Sequence, residues 1–383
     1  MTSASPRELL TAHRATRREA AMNAARPLIR GHLPGLTRTP GAVIYLHAGK
    51  LRLHPVAGRS QLLTATRLLE RLPIEAADAP APEDGKKRVR PDAGDSIVLA
   101  DRGTRAALLR WADDLGDDPD SVMLRRIVQV LGGLNASQLM PVLTQALEHR
   151  FWLPEGLNPH SLADWAEAFD VPTHTPGPLM TALIAHARTA GSPLDPDSLS
   201  AKDLTALTNT ELDLIRVCRY GGMNADLQRY AMTEGHTARF ARVRAMDPGL
   251  LDENLITGVL SELTVTGYTD GVTIGTVSSP FKFRPGKGVK ITDLVSEVGM
   301  TLDEVTIEGD DRVVALGQVT GRTKAHALIA AARVANWRLF VMEPLFDLRT
   351  RKLDRRRWLG GDVERVRGRV VPMDVLVAGS PSD

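Results

Sequence analysis

The chain has 383 residues, of which 43% are hydrophobic and 25% charged, with a formal net charge of only +2. That length allows two or three domains and a substantial core without covalent staples. Its single cysteine, Cys218, excludes an internal disulfide and a multi-cysteine zinc site.

The N-terminus carries no apolar leader, and no run approaches the roughly 18 unbroken apolar residues of a membrane span. The expectation is a cytoplasmic protein with no membrane partner. Aromatic residues make up 4%, so the core rests on Leu, Val, Ile and Ala. Of the 48 basic residues only nine are lysine. Arginine binds phosphate in bidentate fashion more readily than lysine, although GC-rich coding also favours arginine.

Residues 6–30 read as a helix rich in Ala, Leu and Arg. Residues 42–46 and 51–55 read as two strands joined by the short link Ala48-Gly49-Lys50, a hairpin signal. A helix is expected at 60–72. Residues 73–95 hold Pro73, Pro80, Pro82, Pro91 and the basic run Lys86-Lys87-Arg88-Val89-Arg90. Such a composition reads as a solvated linker.

A short strand is expected at 96–100, followed by helices near 103–115, 121–131, 136–150, 161–169, 178–190, 201–207, 210–219, 223–245 and 250–262. Ser200 to Asp203 and Thr208 to Glu211 have the spacing of capping boxes and mark two separate helix starts. From 263 the hydrophobic period becomes two. Strands are expected at 263–268 and 272–277, joined by Asp270-Gly271, a type I′ turn signal. Further strands are expected near 281–284, 304–308, 312–318, 337–342 and 366–377, with one helix at 323–335. The result is an α+β protein: a mostly helical N-terminal and central region with a C-terminal β-rich domain. Its parts are 1–72 (N-terminal helix and hairpin), 73–95 (linker), 96–262 (helical domain) and 263–383 (β-rich domain with a basic C-terminal segment).

Two stretches carry an excess of positive charge. Residues 271–292 contain no acid and hold Lys282, Arg284, Lys287 and Lys290. Read as a strand, Phe281-Lys282-Phe283-Arg284 sends the aromatics to one face and the cations to the other. The loop Pro285-Gly286-Lys287-Gly288 suits a phosphate contact, and the phenylalanines could stack on bases. Equally, Phe281 and Phe283 could be core. Residues 349–369 hold nine cations against three acids, a net +6, and include Arg355, Arg356, Arg357 and Trp358. This segment can release counterions from a polyanion, or pair with the acidic run Asp113 to Asp120. That run lacks the spacing of a calcium loop and reads as a helix boundary with Asp120 as cap.

Three weaker signals complete the reading. Gly317 to Lys324 is a glycine turn before a helix, where Arg322 and Lys324 could hold a phosphate, but it lacks the closing order of a P-loop. Ser161 to Val171 begins like a helix-turn-helix, although the prolines that follow favour a plain helical hairpin. The ten histidines form no zinc pattern, and no nucleophile elbow is present.

No cofactor and no metal is therefore expected, and the balance is against an enzyme. The leading expectation is a non-enzymatic nucleic-acid-associated protein using the basic surfaces of its C-terminal region. Two other readings stay open. One is a structural or assembly protein that binds a protein partner or itself. The other is an enzyme with dispersed residues acting on a phosphate-bearing substrate.

Overall fold

A computed structural model describes residues 5–24, 28–29, 36–78, 94–172, 175–189, 199–269, 272–278, 281, 283–308, 311–318, 329 and 338–342. The described residues all fall within one compact unit, Met1–Leu345.

In chain order the elements are α1 (Pro6–Asn23), β1 (Leu28–Ile29), β2 (Pro40–His47), β3 (Lys50–Pro55), β4 (Gln61–Leu62), α2 (Ala65–Leu69), α3 (Ile74–Asp78), β5 (Ser96–Leu99), α4 (Arg102–Asp113), α5 (Pro119–Gly133), α6 (Leu143–Glu148), β6 (Phe151–Trp152), α7 (Leu162–Ala168), α8 (Pro176–Thr189), α9 (Leu199–Cys218), α10 (Met223–Ala245), α11 (Leu251–Thr257), β7 (Leu260–Thr269), β8 (Val272–Val277), β9 (Lys287–Thr292), β10 (Glu297–Glu308), β11 (Asp311–Gln318) and β12 (Leu339–Met342). The α+β class is as expected, with helices in the N-terminal and central parts and a C-terminal sheet.

The first sheet has the order β4-β3-β2-β5. The hairpin β2–β3 turns on Ala48 and Gly49, both at positive φ, the geometry that matches the twist of antiparallel strands. β2 pairs with β5 in parallel. The Ile97 and Leu99 amides donate to the Leu139 and Pro141 carbonyls at 2.9 and 2.8 Å, so residues 139–142 extend the sheet. Strand side chains alternate between faces. Ala42, Ile44, Ile97 and Leu99 therefore join one apolar cluster with α4 and α5, while Val43, Tyr45, Val98 and Ala100 join another with α6 to α8. A sheet covered on both faces explains why these strands are apolar at every position rather than alternating. β2, β3, β4 and β5 share this layer, so the expected linker 73–95 falls in sequence between strands of one sheet; it begins with α3, and residues 79–93 lie outside the described residues.

Several expected helices differ in extent, each for a physical reason. The helix expected at 136–150 is reduced to α6, because 139–142 is drawn into pairing with β5. The one expected at 250–262 stops at Thr257, where Gly258 takes the left-handed conformation (φ 68°) that ends helices. β7 then begins at Leu260. The helix expected at 60–72 is only α2, capped by Thr64 and preceded by β4. The two helices expected at 201–207 and 210–219 are one continuous helix, α9.

The second sheet closes into a six-stranded antiparallel barrel with the order β10-β11-β8-β7-β12-β9. Inward-facing Leu263, Val277, Val289, Ile291, Val298, Met300, Leu302, Val314, Leu316, Leu339 and Val341 fill it, as expected of a small barrel. β7 carries an irregularity between Val265 and Gly267, and β10 one between Leu302 and Glu304. Bulges of this kind add the local twist that lets a sheet curl and close.

The barrel rests on the end of the helical region. Ala245, Met246, Leu260, Phe340 and Met342 form a small apolar cluster there, packed by Leu251, Leu255 and Leu294. Leu294, one of the residues packed there, sits at a positive φ of 72°. α1 is tied to α11 by Arg14–Glu253 at 3.0 Å and Arg17–Asp252 at 3.5 Å.

Candidate nucleic-acid interface

The expected strand at 281–284 does not form. The Phe281 carbonyl accepts from Arg312 Nη1 at 2.7 Å, so it is spent on a side chain instead of a strand ladder. Phe281 is 6% exposed and belongs to the barrel core, and its ring meets that of Phe283 edge-on at 5.0 Å. This pair plugs the barrel, which removes Phe281 from any stacking platform. Past the plug, Arg284, Pro285 and Gly286 are exposed. Gly286 sits at φ 76° and its amide donates to the Leu302 carbonyl at 2.7 Å, fixing the turn into β9.

Lys287 opens β9, paired in register with Leu302. Lys290 points away from the barrel interior, since Val289 and Ile291 occupy the inward positions. Its ammonium lies 3.3 Å from Glu297 Oε1, and Arg242 Nη1 reaches the same oxygen at 3.3 Å. Arg242 Nε in turn lies 2.9 Å from Asp203 Oδ2, with Arg239 at 3.7 Å from Oδ1. Lys290 is thus part of a charge network joining β9 and β10 to α9 and α10. Burial raises the Asp203 pKa and Glu297 pushes in the same direction, against the pull of Arg242 and Arg239. The other expected contact residues, Lys282, Arg322, Lys324, Arg355, Arg356, Arg357 and Trp358, lie outside the described residues.

The acidic run has local partners. Asp118, not Asp120, caps α5: its Oδ1 accepts from the Ser121 amide at 3.0 Å, with Pro119 at the first helical position. The hydrogen bonds from Ser121 lower the Asp118 pKa. Asp113 accepts from Gln129 at 2.8 Å, and Asp117 lies 3.6 Å from Arg125. The 161–171 segment forms α7, with Trp165 fully buried. The helix after it, α8, begins at Pro176 and buries Leu179, Met180, Leu183 and Ile184 against the sheet.

The most developed polar cluster departs from the capping-box expectation for Thr208 and Glu211. Thr208 and Glu211 do not start a helix. Thr208 donates to the Leu204 carbonyl within α9, and Glu211 is fully buried. Its Oε1 accepts from the Gln138 amide at 2.7 Å and contacts His236 Nε2 at 2.8 Å. Its Oε2 accepts from Ser137 Oγ and the Leu139 amide, both at 2.8 Å. One carboxylate therefore ties α9, α10 and the 137–139 loop together. All its acceptor positions are committed, which marks a structural lock.

Cys218 ends α9, where Arg126 and Arg229 cap the helix by donating to the Val217, Cys218 and Tyr220 carbonyls. Burial pushes the thiol up to about 11. A thiolate reagent at about pH 8 should therefore label the native protein at least ~100-fold more slowly than the urea-unfolded chain. Labelling at equal rates would contradict the burial.

Among the described residues no three His, Cys, Asp or Glu side chains gather as a metal site requires, and no helix is long and apolar enough to cross a membrane. The chain matches no known protein family and no curated protein sequence. Its class is therefore defined by architecture: a two-face-covered mixed sheet and helical region carrying a filled, closed barrel.

Proposed function

We propose that this protein is a non-enzymatic, nucleic-acid-associated binding protein of the cytoplasm that uses the basic surfaces of its C-terminal region. The observation that carries the reading is the exposed Arg284-Pro285-Gly286 turn. It is anchored from behind by the Phe281–Phe283 pair and runs directly into β9 with Lys287 and Lys290. An exposed turn that offers a guanidinium is a means of holding phosphate oxygens. β12 pairs with β9, Met342 opposite Lys290, and the arginine segment 349–369 begins seven residues further along the chain.

The test is fluorescence anisotropy with single-stranded and duplex oligonucleotides of several sequences. Arg284→Glu with Lys287→Glu should weaken binding about equally for every sequence. It should also flatten the plot of log affinity against log salt by roughly 0.7–0.9 per lost phosphate contact. An unchanged slope would remove the turn from the interface.

A further inference from the structure

Lys290 stands on the outer face of the barrel, four residues beyond Gly286, or about 13 Å along the strand. The stretch around it holds no acid, yet its charge is not free. Register places it opposite Gly299 on β10, with Glu297 diagonal to it on the same outward face. Gly299 has no side chain to hold the lysine upright: a Cβ there would lie 3.8 Å from Lys290 Nζ. The lysine stem therefore lies down over β10, and its ammonium reaches Glu297 Oε1 at 3.3 Å. Among the described residues Glu297 is its one ion-pair partner. Glu297 is less dependent on the lysine, because Arg242 Nη1 holds the same oxygen from α10 at 3.3 Å. Arg242 is shared in turn with Asp203, beside Arg239. The network sets three cations against two carboxylates. Its most exposed member is Lys290, whose side chain is 31% exposed against 14% for Glu297.

We propose, resting on the function proposed above, that Glu297 is an autoinhibitory residue of the nucleic-acid surface, holding Lys290 back from phosphate oxygens that reach the Arg284 turn. A phosphate approaching Lys290 competes with a carboxylate already at contact distance. That carboxylate is mostly shielded from water, where salt screens a charge pair little. The same carboxylate repels the phosphate. It cannot step aside, since Arg242 fixes it whether or not Lys290 leaves. The lysine has a long flexible stem, so it is free to swing outward once the carboxylate loses its charge. A repulsive element built into a binding surface is a general means of selectivity. Here it keeps one cation in reserve on a face that otherwise attracts any polyanion.

The test is a double-mutant binding cycle on the full-length chain, read by anisotropy of one labelled single-stranded oligonucleotide across a salt series. Glu297→Gln should strengthen binding about three- to tenfold near about 0.1 M salt. It should also steepen the plot of log affinity against log salt by roughly 0.7, one added contact to a single strand. Lys290→Ala alone should leave affinity within about twofold of wild type and the slope unchanged, because the lysine is withheld. Combining Lys290→Ala with Glu297→Gln should cancel the gain. Simple loss of a negative charge would instead strengthen binding in both backgrounds. Should Glu297→Gln not fold, Asp203→Asn serves in its place: it leaves Arg242 to Glu297 alone and should strengthen binding in the same Lys290-dependent way. Wild-type binding that Glu297→Gln does not improve overturns the brake and leaves the nucleic-acid reading standing. So does a gain that survives Lys290→Ala, or a loss of a full contact on Lys290→Ala alone. An oligonucleotide bound by neither wild type nor Glu297→Gln overturns the reading itself, and the brake with it.

Discussion

Glu211→Ala is expected to lower the unfolding free energy by about 3–5 kcal/mol, enough to bring a protein of ordinary stability close to unfolding. The substitution removes the acceptor for four donors at once: the Ser137 hydroxyl, the Gln138 and Leu139 amides and the His236 ring. Each buried donor left without a partner costs about 1–3 kcal/mol. The methyl group also leaves space that a closely packed region cannot fully close. Glu211→Gln keeps the shape but turns an amide nitrogen toward donors on one side, so it should cost about 2–3 kcal/mol. Ser137→Ala removes two bonds, the one donated to Glu211 and the one accepted from the Met140 amide, and should cost about 2 kcal/mol. Urea unfolding at constant slope measures all three. A Glu211→Ala loss within 1 kcal/mol of zero would show that the cluster is not a lock.

The second large effect separates two glycines of the barrel. A Cβ at Gly275 would lie 2.7 Å from the Thr264 carbonyl oxygen and 2.8 Å from Leu263 Cδ1. The first is backbone of the neighbouring strand beside its bulge, and the second is core, so neither moves cheaply. Gly275→Ala should therefore destabilise by about 2–4 kcal/mol. At Gly317 the Cβ would come even closer, 2.0 Å from Asp303 Oδ2. Yet that atom ends an exposed side chain, which can rotate away into solvent. Gly317→Ala should cost less than about 1 kcal/mol, the ordinary penalty for a surface rearrangement. The distances alone rank the pair the other way round, so thermal unfolding of the two variants decides whether mobility of the neighbour governs the cost. Equal losses would contradict this view of how the barrel closes.

Much of the local structure was legible because its causes are local. The period-two runs at 263–268 and 272–277, and the Ala48-Gly49 turn between two apolar strands, carry their own geometry. So did α4, α5, α7, α8 and α10, from apolar residues at helical spacing. Gly258 was a readable stop signal that the expected 250–262 helix overran. What escaped depends on distant partners. Thr208-x-x-Glu211 has capping spacing, but Glu211 answers to Ser137, some 74 positions away. The 139–142 stretch is helical by composition and extended because β5 offers a parallel edge. Phe281 and Phe283 alternate as a strand does, yet Arg312 takes the carbonyl and the barrel takes the rings. Asp118 and Asp120 are equivalent in composition, and Pro119 decides between them by suiting the first helical position. Of the expected contact surface, Arg284 is exposed as anticipated, whereas Lys290 is shared with Glu297.

The most direct test of nucleic-acid association is the salt dependence of oligonucleotide binding by the full chain, beside the Arg355→Ala/Arg356→Ala/Arg357→Ala variant. The account predicts wild-type binding that weakens linearly with log salt, and a slope in the variant shallower by about 2–3. Binding that is absent at low salt, or indifferent to salt and to the three substitutions, would contradict it.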